Sequence, residues 1–434
     1  MRSFSIAALV PSLASSAEGP CDIFGAGGNP CVAAHSTVRA LYGAFSGALY
    51  QVRRGTDRAT LDIKTLGAGG FADAASQDAF CAGGAASSCV IQRIYDQSPM
   101  GNHLDIAPPG GAARHVDNPT NATKDPTRVG GHAVYSAYFE GGMGYRIDNA
   151  TGTAVGDEAE TIYAVLSGSH YNDRCCFDYG NAETDNLDDG AGTMEALYFG
   201  NANGGLNHGG AGKGPWIMAD MENALWGADV VKSNEESVRT AGGDGDTYAF
   251  VTAMIKCDSA APAPPPSPPS PPPSRPGAAT VAADHDICPG SGDLGSFADT
   301  AVDKCNEACY GNPQCAAYVL HGGTCYLKSC TGPLVPKSGS TVGQLPGRSG
   351  IANGHWAIKG GDATSGELKT YWDGPRAKGY SPMKKQGAII LGIGGDNSDG
   401  AVGTFYEGAI VKGVSSNATD AKIQANIVAA GYGK

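Results

Sequence analysis

The hydrophobic positions of the chain fall into short runs that are bounded by Gly, Asn and Asp. Apolar and β-branched residues dominate four of these runs, at 161–166, 248–255, 388–393 and 404–411. Runs of this length with such flanks are typical of β-strands. Helical spacing is scarce and extends only over 37–50 and 420–432. The pattern therefore predicts an all-β protein built as a sandwich or a barrel.

The composition agrees with many short strands joined by turns. The 434 residues include 65 Gly and 26 Pro, and only 17% are charged. A hydrophobic fraction of 41% is enough to form a core, so the chain is not disordered overall. The formal net charge of −13 disfavours nucleic acid and anionic membrane surfaces as partners. The sequence also contains no run of the roughly 18 apolar residues that a membrane span requires.

Three features predict a secreted protein. Residues 1–17 read as a signal peptide with a small-residue cleavage site, although a disordered N-terminal extension is the alternative. Thirteen cysteines suit an oxidising compartment. N-x-[ST] triplets make Asn121, Asn149 and Asn417 candidate glycosylation sites. We therefore expect an extracellular or cell-wall protein.

A proline-rich segment divides the chain. Residues 262–276 read PAPPPSPPSPPPSRP, which suits a stiff polyproline II spacer and excludes the interior of a sheet or helix. We assign 18–257 and 351–434 to one β-sandwich that is split by an insertion. The insertion consists of a Pro/Ser-rich linker at 258–284, a small cysteine-rich module at 285–333 and a second linker at 334–350.

The module carries six cysteines within 43 residues, and spacing alone leaves fifteen pairings open. Zinc is the rival explanation, but the segment lacks paired C-x2-C spacing. The stretches DKCNEAC at 303–309, QCAAY at 314–318 and TCYLK at 324–328 resemble a PAN/apple domain. That resemblance implies an α+β module that binds a glycan or a protein. It also implies the disulfides Cys305–Cys325, Cys309–Cys315 and Cys288–Cys330.

Two acidic stretches are candidates for chemistry. In an extended chain Asp220 and Glu222 point to the same face, flanked by Trp216 and Met221, as an acid/base or nucleophile pair requires. Asp396 follows an apolar strand in a Gly-rich turn where a ligand can approach closely. The alternatives are that Asp396 caps a turn and that Glu222 is a solvated strand residue. Calcium in the Asp-Asn-Ser-Asp loop is a further alternative.

Adjacent cysteines, Cys175 and Cys176, form a third unusual feature. Each cysteine bonds either to a distant partner or to its neighbour. A bond between the two presents a flat sulfur surface on which a sugar ring can pack.

Six collinear stretches resemble the catalytic domain of glycoside hydrolase family 54, the α-L-arabinofuranosidases. They are GPCDIF at 19–24, AAHSTVRALY at 33–42, IYDQS at 94–98, CCFDYGNAET at 175–184, GPWIMADMEN at 214–223 and IGGDNS at 393–398. The resemblance extends from about residue 19 to 434, leaving out roughly 258–350. It implies a jelly-roll-like β-sandwich and a retaining mechanism that releases terminal arabinofuranose from arabinan or arabinoxylan.

The resemblance also assigns roles to individual residues. It implies that Glu222 is the nucleophile and Asp396 the general acid/base. It implies substrate contacts for Asp220, Asn223, the backbone of Gly395, and a Cys175–Cys176 disulfide that packs against the furanose ring. The remaining catalytic-domain disulfides would be Cys21–Cys31 and Cys81–Cys89, which leaves Cys257 either free or paired within the insertion. No metal or organic cofactor is implied.

The sequence departs from the family pattern in three ways. Family members commonly carry a C-terminal arabinose-binding β-trefoil, and the sequence given ends at Lys434, so weaker polymer affinity or replacement by the insertion is expected. A Trp that members place some nine residues before the Trp216 equivalent is replaced by the stretch 206–208. The insertion is itself foreign to the family. We expect a monomer that acts on an arabinose-containing polysaccharide or oligosaccharide, with a non-catalytic extracellular carbohydrate-binding protein as the alternative.

Overall fold

The structure of the protein is a computed structural model. It describes residues 18–82, 89–202, 214–227, 248–258, 280–287, 293–298, 301–311, 315–329, 335–344, 355–376 and 380–434. Antiparallel strands account for most of the regular structure in these ranges.

The first large sheet has seven strands, and its central strand is the longest. Its order is β1 (Cys31–Ser36), β24 (Gly403–Lys412), β10 (Glu160–Tyr171), β15 (Phe250–Cys257), β21 (His355–Asp362) and β22 (Lys369–Pro375), and β8 (Ala137–Phe139) pairs with β24. The predicted runs at 161–166, 248–255 and 404–411 form the centre of this sheet. The sequence pattern thus predicts three of its long buried strands.

The second large sheet has ten strands and carries the candidate site. Its order is β14 (Leu225–Trp226), β13 (Trp216–Asp220), β12 (Glu195–Gly200), β11 (Asp178–Ala182), β23 (Ala388–Leu391), β9 (Tyr145–Ile147), β5 (Leu104–Ile106), β4 (Cys89–Ile94), β2 (Ala48–Arg54) and β3 (Thr60–Lys64). A separate hairpin joins β6 (Pro126–Val129) and β7 (His132–Tyr135).

The two large sheets pack against each other, with contacts that include β10 against β12 and β13 against β15 and β21. Large side chains fill the shared core, among them Trp216, Trp356, Tyr163 and Phe139. Burying apolar area on this scale is the main favourable contribution to folding. The all-β fold class is confirmed, while the finer jelly-roll description stays a prediction.

Helices are few in the described ranges: α1 (Pro20–Ala26), α2 (Ala74–Cys81), α3 (Val302–Gly311) and α4 (Asn417–Ala430). The helix predicted at 420–432 is confirmed as part of α4. The helix predicted at 37–50 is wrong, because this segment forms a loop that leads into β2. Ser36 Oγ accepts hydrogen bonds from the N–H groups of Val38 and Arg39, at 3.1 Å each, and such local bonds compete with a helix.

The insertion leaves the sandwich between two neighbouring strands, since β15 pairs directly with β21. Its described part is a five-stranded antiparallel sheet packed on α3. The strand order is β16 (Thr280–Asp286), β20 (Val335–Gln344), β18 (Ala317–His321), β19 (Thr324–Lys328) and β17 (Asp293–Ala298). Disulfides join Cys305 to Cys325 and Cys309 to Cys315. The Cys288–Cys330 bond lies outside the described residues, and the PAN/apple assignment stays a prediction.

Two disulfides in the sandwich join the cysteines that the family resemblance implied. They are Cys21–Cys31, which ties α1 to β1, and Cys81–Cys89, which ties α2 to β4. Cys257 is free and buried, and Arg376 Nη2 lies 3.1 Å from its sulfur.

The structure describes the candidate glycosylation residues but not the predicted signal peptide, so secretion stays a prediction. The predicted signal peptide at 1–17 lies outside the described residues. Of the candidate glycosylation residues, Asn149 and Asn417 are exposed and Asn121 is half-buried. Within the described ranges, no helix is both long and apolar enough to cross a membrane.

Candidate active site

Glu222 lies in the tight turn that joins β13 to β14. Strand β13 ends at Asp220, and Met221 N then donates to Ala224 O at 3.1 Å. Glu222 and Asn223 have φ angles of 61° and 60°, in the left-handed region that non-glycine residues seldom adopt. The expectation of one extended strand through both carboxylates is therefore wrong. Asp220 and Glu222 are brought together by the turn instead, since Glu222 N donates to Asp220 Oδ1 at 3.1 Å.

Asp396 lies in a loop that follows β23. Gly394 N donates to Ser398 O at 3.0 Å, and Asn397, with a φ of 65°, donates its N–H to Gly394 O at 3.1 Å. Asp396 Oδ1 accepts the N–H of Ser398 at 3.0 Å, so Asp396 does cap a turn. Its side chain is nevertheless only half-buried, which leaves it accessible to a substrate.

Gly395 brings the two acidic segments together. A Cβ on this residue would stand 2.0 Å from Glu183 Oε2 and 2.9 Å from Glu222 Oε2, so only glycine allows this approach. The Gly395 carbonyl accepts a hydrogen bond from Arg146 Nη1 at 2.6 Å. A sugar hydroxyl that uses the Gly395 backbone can still bind the N–H or the second lone pair of this carbonyl oxygen.

Cys175 and Cys176 are bonded to each other across a cis peptide bond. Cys175 is exposed and Cys176 is buried. Cys176 N donates to Ser398 O at 3.2 Å, and Cys176 Sγ lies 3.1 Å from Asp220 Oδ2. The disulfide therefore lies between Asp220 and the loop that carries Asp396, and its Cys175 residue is exposed.

The rest of the predicted set is distributed around this centre. Asn223 is exposed, and its Nδ2 donates to Asp188 Oδ1 at 3.0 Å. Tyr380 Oη donates to the Glu222 carbonyl at 3.3 Å and so supports the turn from outside. Trp216 and Met221, expected beside the carboxylates, are buried in the core. Residues 206–208, where the family pattern has a Trp nearby, lie outside the described residues.

Two further carboxyl groups, which sequence reasoning left without a role, complete the cluster. Asp178 and Glu183 are 1% and 0% exposed. Both belong to the stretch 175–184 that carries part of the family resemblance, and this was the one available signal. Asp178 begins β11 and Glu183 follows it, and β12 separates β11 from β13, the strand that leads into the Glu222 turn.

Burial and mutual repulsion raise the pKa values of the crowded carboxyl groups. Burial, followed by the negative charges of Glu183 and Asp220, raises the pKa of Glu222 to about 10. Burial likewise raises the pKa of Asp220 to about 7, although hydrogen bonds from the Asp178 side chain and the Glu222 N–H oppose this shift. Burial also raises the pKa values of Asp178 and Glu183. Such shifts are typical of sites that move protons.

Two groups of side chains come close enough to chelate a cation among the described residues. One is Cys175, Cys176 and Asp220, whose sulfurs are already bonded to each other and therefore cannot act as thiolate ligands. The other is His115, Asp117 and Asp399, close to the Asp396 loop. His115 Nε2 lies 3.2 Å from Asp399 Oδ2, so the imidazole of this group already contacts one of its two carboxyl groups.

The chain is similar in sequence to known proteins. The sequence profile described as "Alpha-L-arabinofuranosidase B, catalytic" matches residues 20–262 and 348–433. Alpha-L-arabinofuranosidase B of Aspergillus oryzae is 43% identical over 430 residues, which cover 98% of this chain and 64% of that protein. Alpha-L-arabinofuranosidase of Hypocrea jecorina is 42% identical over 422 residues, which cover 96% of this chain and 63% of that protein. The chain thus spans less than two thirds of the length of these relatives.

Solved structures are similar as well. A crystal structure of arabinofuranosidase complexed with arabinofuranosyl-alpha-1,2-xylobiose has a TM-score of 0.66 and 41% identity, and the match covers 95% of this chain and 65% of that chain. A mutant of a GH54 α-L-arabinofuranosidase soaked with 4-nitrophenyl α-L-arabinofuranoside has a TM-score of 0.65 and 41% identity. This match covers 95% of this chain and 66% of that chain.

Proposed function

The chain belongs to glycoside hydrolase family 54, the alpha-L-arabinofuranosidase B catalytic family, and on this basis we propose that it is a retaining α-L-arabinofuranosidase. Its substrates are terminal arabinofuranosyl residues of arabinan- and arabinoxylan-type polysaccharides or their oligosaccharides. The membership agrees with the resemblance found in the sequence.

One observation carries the proposal at the level of the site. Gly395 brings the Glu222 turn and the Asp396 loop together, beside a disulfide whose outer residue, Cys175, is exposed. A carboxylate nucleophile, a second carboxyl group and a flat apolar surface are the parts that a retaining glycosidase needs around one sugar ring. A plain sugar-binding protein has no use for a cluster of buried carboxyl groups, because each of them costs desolvation free energy.

The mechanism assigns one step to each carboxyl group. Glu222, as a carboxylate, attacks the anomeric carbon while Asp396 donates a proton to the departing oxygen. Water then hydrolyses the arabinosyl-enzyme, with Asp396 acting as the base. Retaining pairs are about 5–5.5 Å apart, and we expect this separation between Glu222 and Asp396 in the complex.

The remaining residues bind the sugar. Asp220, Asn223 and the backbone of Gly395 contact hydroxyl groups, and the Cys175–Cys176 disulfide packs against the furanose ring. Asn223 already donates to Asp188, so a sugar hydroxyl competes with an existing hydrogen bond there. We further propose that the protein works outside the cell, which its disulfide bonds support. We also propose that it is a monomer. The insertion would then recruit a glycan or protein partner.

The proposal is tested with 4-nitrophenyl α-L-arabinofuranoside, incubated with the wild-type protein and with its Glu222→Gln variant. We expect nitrophenol from the wild type and none above background from Glu222→Gln, with unchanged thermal unfolding. Polymer substrates then establish the linkage. If neither protein releases nitrophenol although both are folded, the proposal is overturned and a carbohydrate-binding protein is favoured.

A further inference from the structure

We propose that Glu183 is the positioning residue of the nucleophile: it takes over a proton from Glu222 and, as a neutral acid, donates a hydrogen bond that orients the Glu222 carboxylate. This inference rests on the proposed function, because it concerns how the same site prepares its nucleophile. The argument begins with what fixes Glu183 in place.

Glu183 is held at one carboxylate oxygen and at its main-chain carbonyl. Its Oε1 accepts a hydrogen bond from Thr193 Oγ at 2.5 Å. Its main-chain carbonyl accepts one from Arg146 Nη2, and Arg146 also binds the Gly395 carbonyl. The residue is 0% exposed, so water does not solvate the side chain. Only Oε2 is left to interact with the active site.

That remaining oxygen points to Glu222. Glu183 Oε2 and Glu222 Oε2 stand 2.0 and 2.9 Å from the same point, the site of a Cβ on Gly395. Glu183 Oε2 is buried, and no donor among the described residues reaches it. Two ionised carboxylates in such a place would repel each other and would each lack a hydrogen bond. One proton shared between Glu183 and Glu222 removes both penalties.

The position of that proton decides whether the nucleophile is active. In the resting site, burial and the negative charge of Glu183 favour the proton on Glu222 and raise its pKa to about 10. As the glycosidic bond lengthens, positive charge grows at the anomeric carbon and attracts negative charge onto Glu222. The proton then moves along the hydrogen bond to Glu183 Oε2.

The step balances without any further reactant. One oxygen of Glu222 forms the bond to the anomeric carbon, the glycosidic C–O bond breaks, and Asp396 supplies the proton of the departing hydroxyl. The proton now on Glu183 stays there and hydrogen-bonds to the carbonyl oxygen of the new ester. When water releases the sugar, the proton is again shared with the Glu222 carboxylate.

Two substitutions of Glu183 with side chains of nearly equal volume distinguish a hydrogen-bond donor from a side chain that only fills the space. Glu183→Gln keeps an N–H donor for Glu222, whereas Glu183→Met fills the space without any donor. We expect Glu183→Gln to keep kcat/KM within about tenfold of the wild type and Glu183→Met to lose about 10²- to 10³-fold, as when one preorganised donor is removed. Glu195→Gln is the control, because Glu195 is equally buried but binds Lys385 at 2.8 Å.

The pH profile shows a change that a merely structural role would not produce. A donor favours the charged form of Glu222, so its loss raises the Glu222 pKa. The acid limb of kcat/KM, which reports the free enzyme, should therefore move to higher pH in Glu183→Met and stay near the wild type in Glu183→Gln. Equal acid limbs in the two variants, or equal losses of activity, would overturn the inference.

Infrared spectroscopy of the ligand-free protein tests the shared proton without any substrate. If no arabinofuranoside is hydrolysed, the proposed function is wrong, but this measurement still tests the role of Glu183. At neutral pH the wild type and Glu183→Met should show the band of a protonated Glu222 carboxyl group. In Glu183→Gln this band should be lost, because the negative neighbour has become a hydrogen-bond donor. An unchanged band in Glu183→Gln would contradict a proton shared by Glu183 and Glu222.

Discussion

The absence of a Cβ atom at Gly395 leaves the space in which the carboxyl groups of Glu183 and Glu222 approach the Asp396 loop. Because the site of its missing Cβ lies 2.0 Å from Glu183 Oε2, Gly395→Ala must displace that carboxyl group or the loop. We predict a loss of kcat/KM of at least about 100-fold, since small displacements of catalytic groups cost this much. Gly67→Ala is the control, because a Cβ there meets nothing within 4 Å. Activity of Gly395→Ala equal to that of Gly67→Ala would contradict the close approach.

The individual site residues differ in how far the sequence could reveal them. Asp220, Glu222 and Asp396 stand in distinctive stretches, so the sequence alone indicates them as candidates. The sequence does not predict the left-handed turn at Glu222 and Asn223, because a glutamate seldom adopts a positive φ. Glu183 and Asp178 received no role, since their importance depends on partners that are distant in sequence.

The buried Arg39–Glu407 pair stabilises the loop that sequence periodicity mistook for a helix. Arg39 donates to both carboxylate oxygens of Glu407, at 2.5 and 2.7 Å, and Tyr432 donates to the same carboxylate at 2.7 Å. We predict that Arg39→Met lowers the free energy of unfolding by about 3–5 kcal/mol, because Glu407 is left as an uncompensated buried charge.

Chemical denaturation measures this effect, with Arg93→Met as the matched control. Arg93 pairs with Asp105 at 2.6 Å, but both side chains are well exposed. Such a pair contributes at most about 1 kcal/mol. Equal effects of the two substitutions would show that the buried pair does not hold this segment.

The strands were easier to predict than the helices for a physical reason. Strands such as β10 and β24 are buried along almost their whole length, so continuous apolar runs reveal them. Segment 37–50 contains apolar residues at helical spacing, but Gly43 and Gly47 weaken a helix and Arg39 is held by Glu407. These tertiary contacts override local periodicity.

At the scale of the whole molecule, the insertion leaves the sandwich where two paired strands meet. Cys257 pairs with Trp356 across β15 and β21, so a short hairpin can replace everything between them. We predict that a chain with an Asn-Gly turn in place of residues 259–354 folds and hydrolyses an aryl arabinofuranoside within several-fold of the wild type. A folded deletion variant without activity would show that the insertion contributes to the site.

The central claim is that Glu222 forms a covalent arabinosyl-enzyme at the site bounded by Gly395. The most direct measurement is mass spectrometry of Asp396→Ala after brief exposure to 4-nitrophenyl α-L-arabinofuranoside. Nitrophenolate departs without acid assistance, whereas hydrolysis of the intermediate needs the missing base, so the intermediate should accumulate. We predict the added mass of one pentosyl unit on the peptide that contains Glu222. The same mass on Glu183 or another carboxyl group, or nitrophenol release without any adduct, would contradict the account.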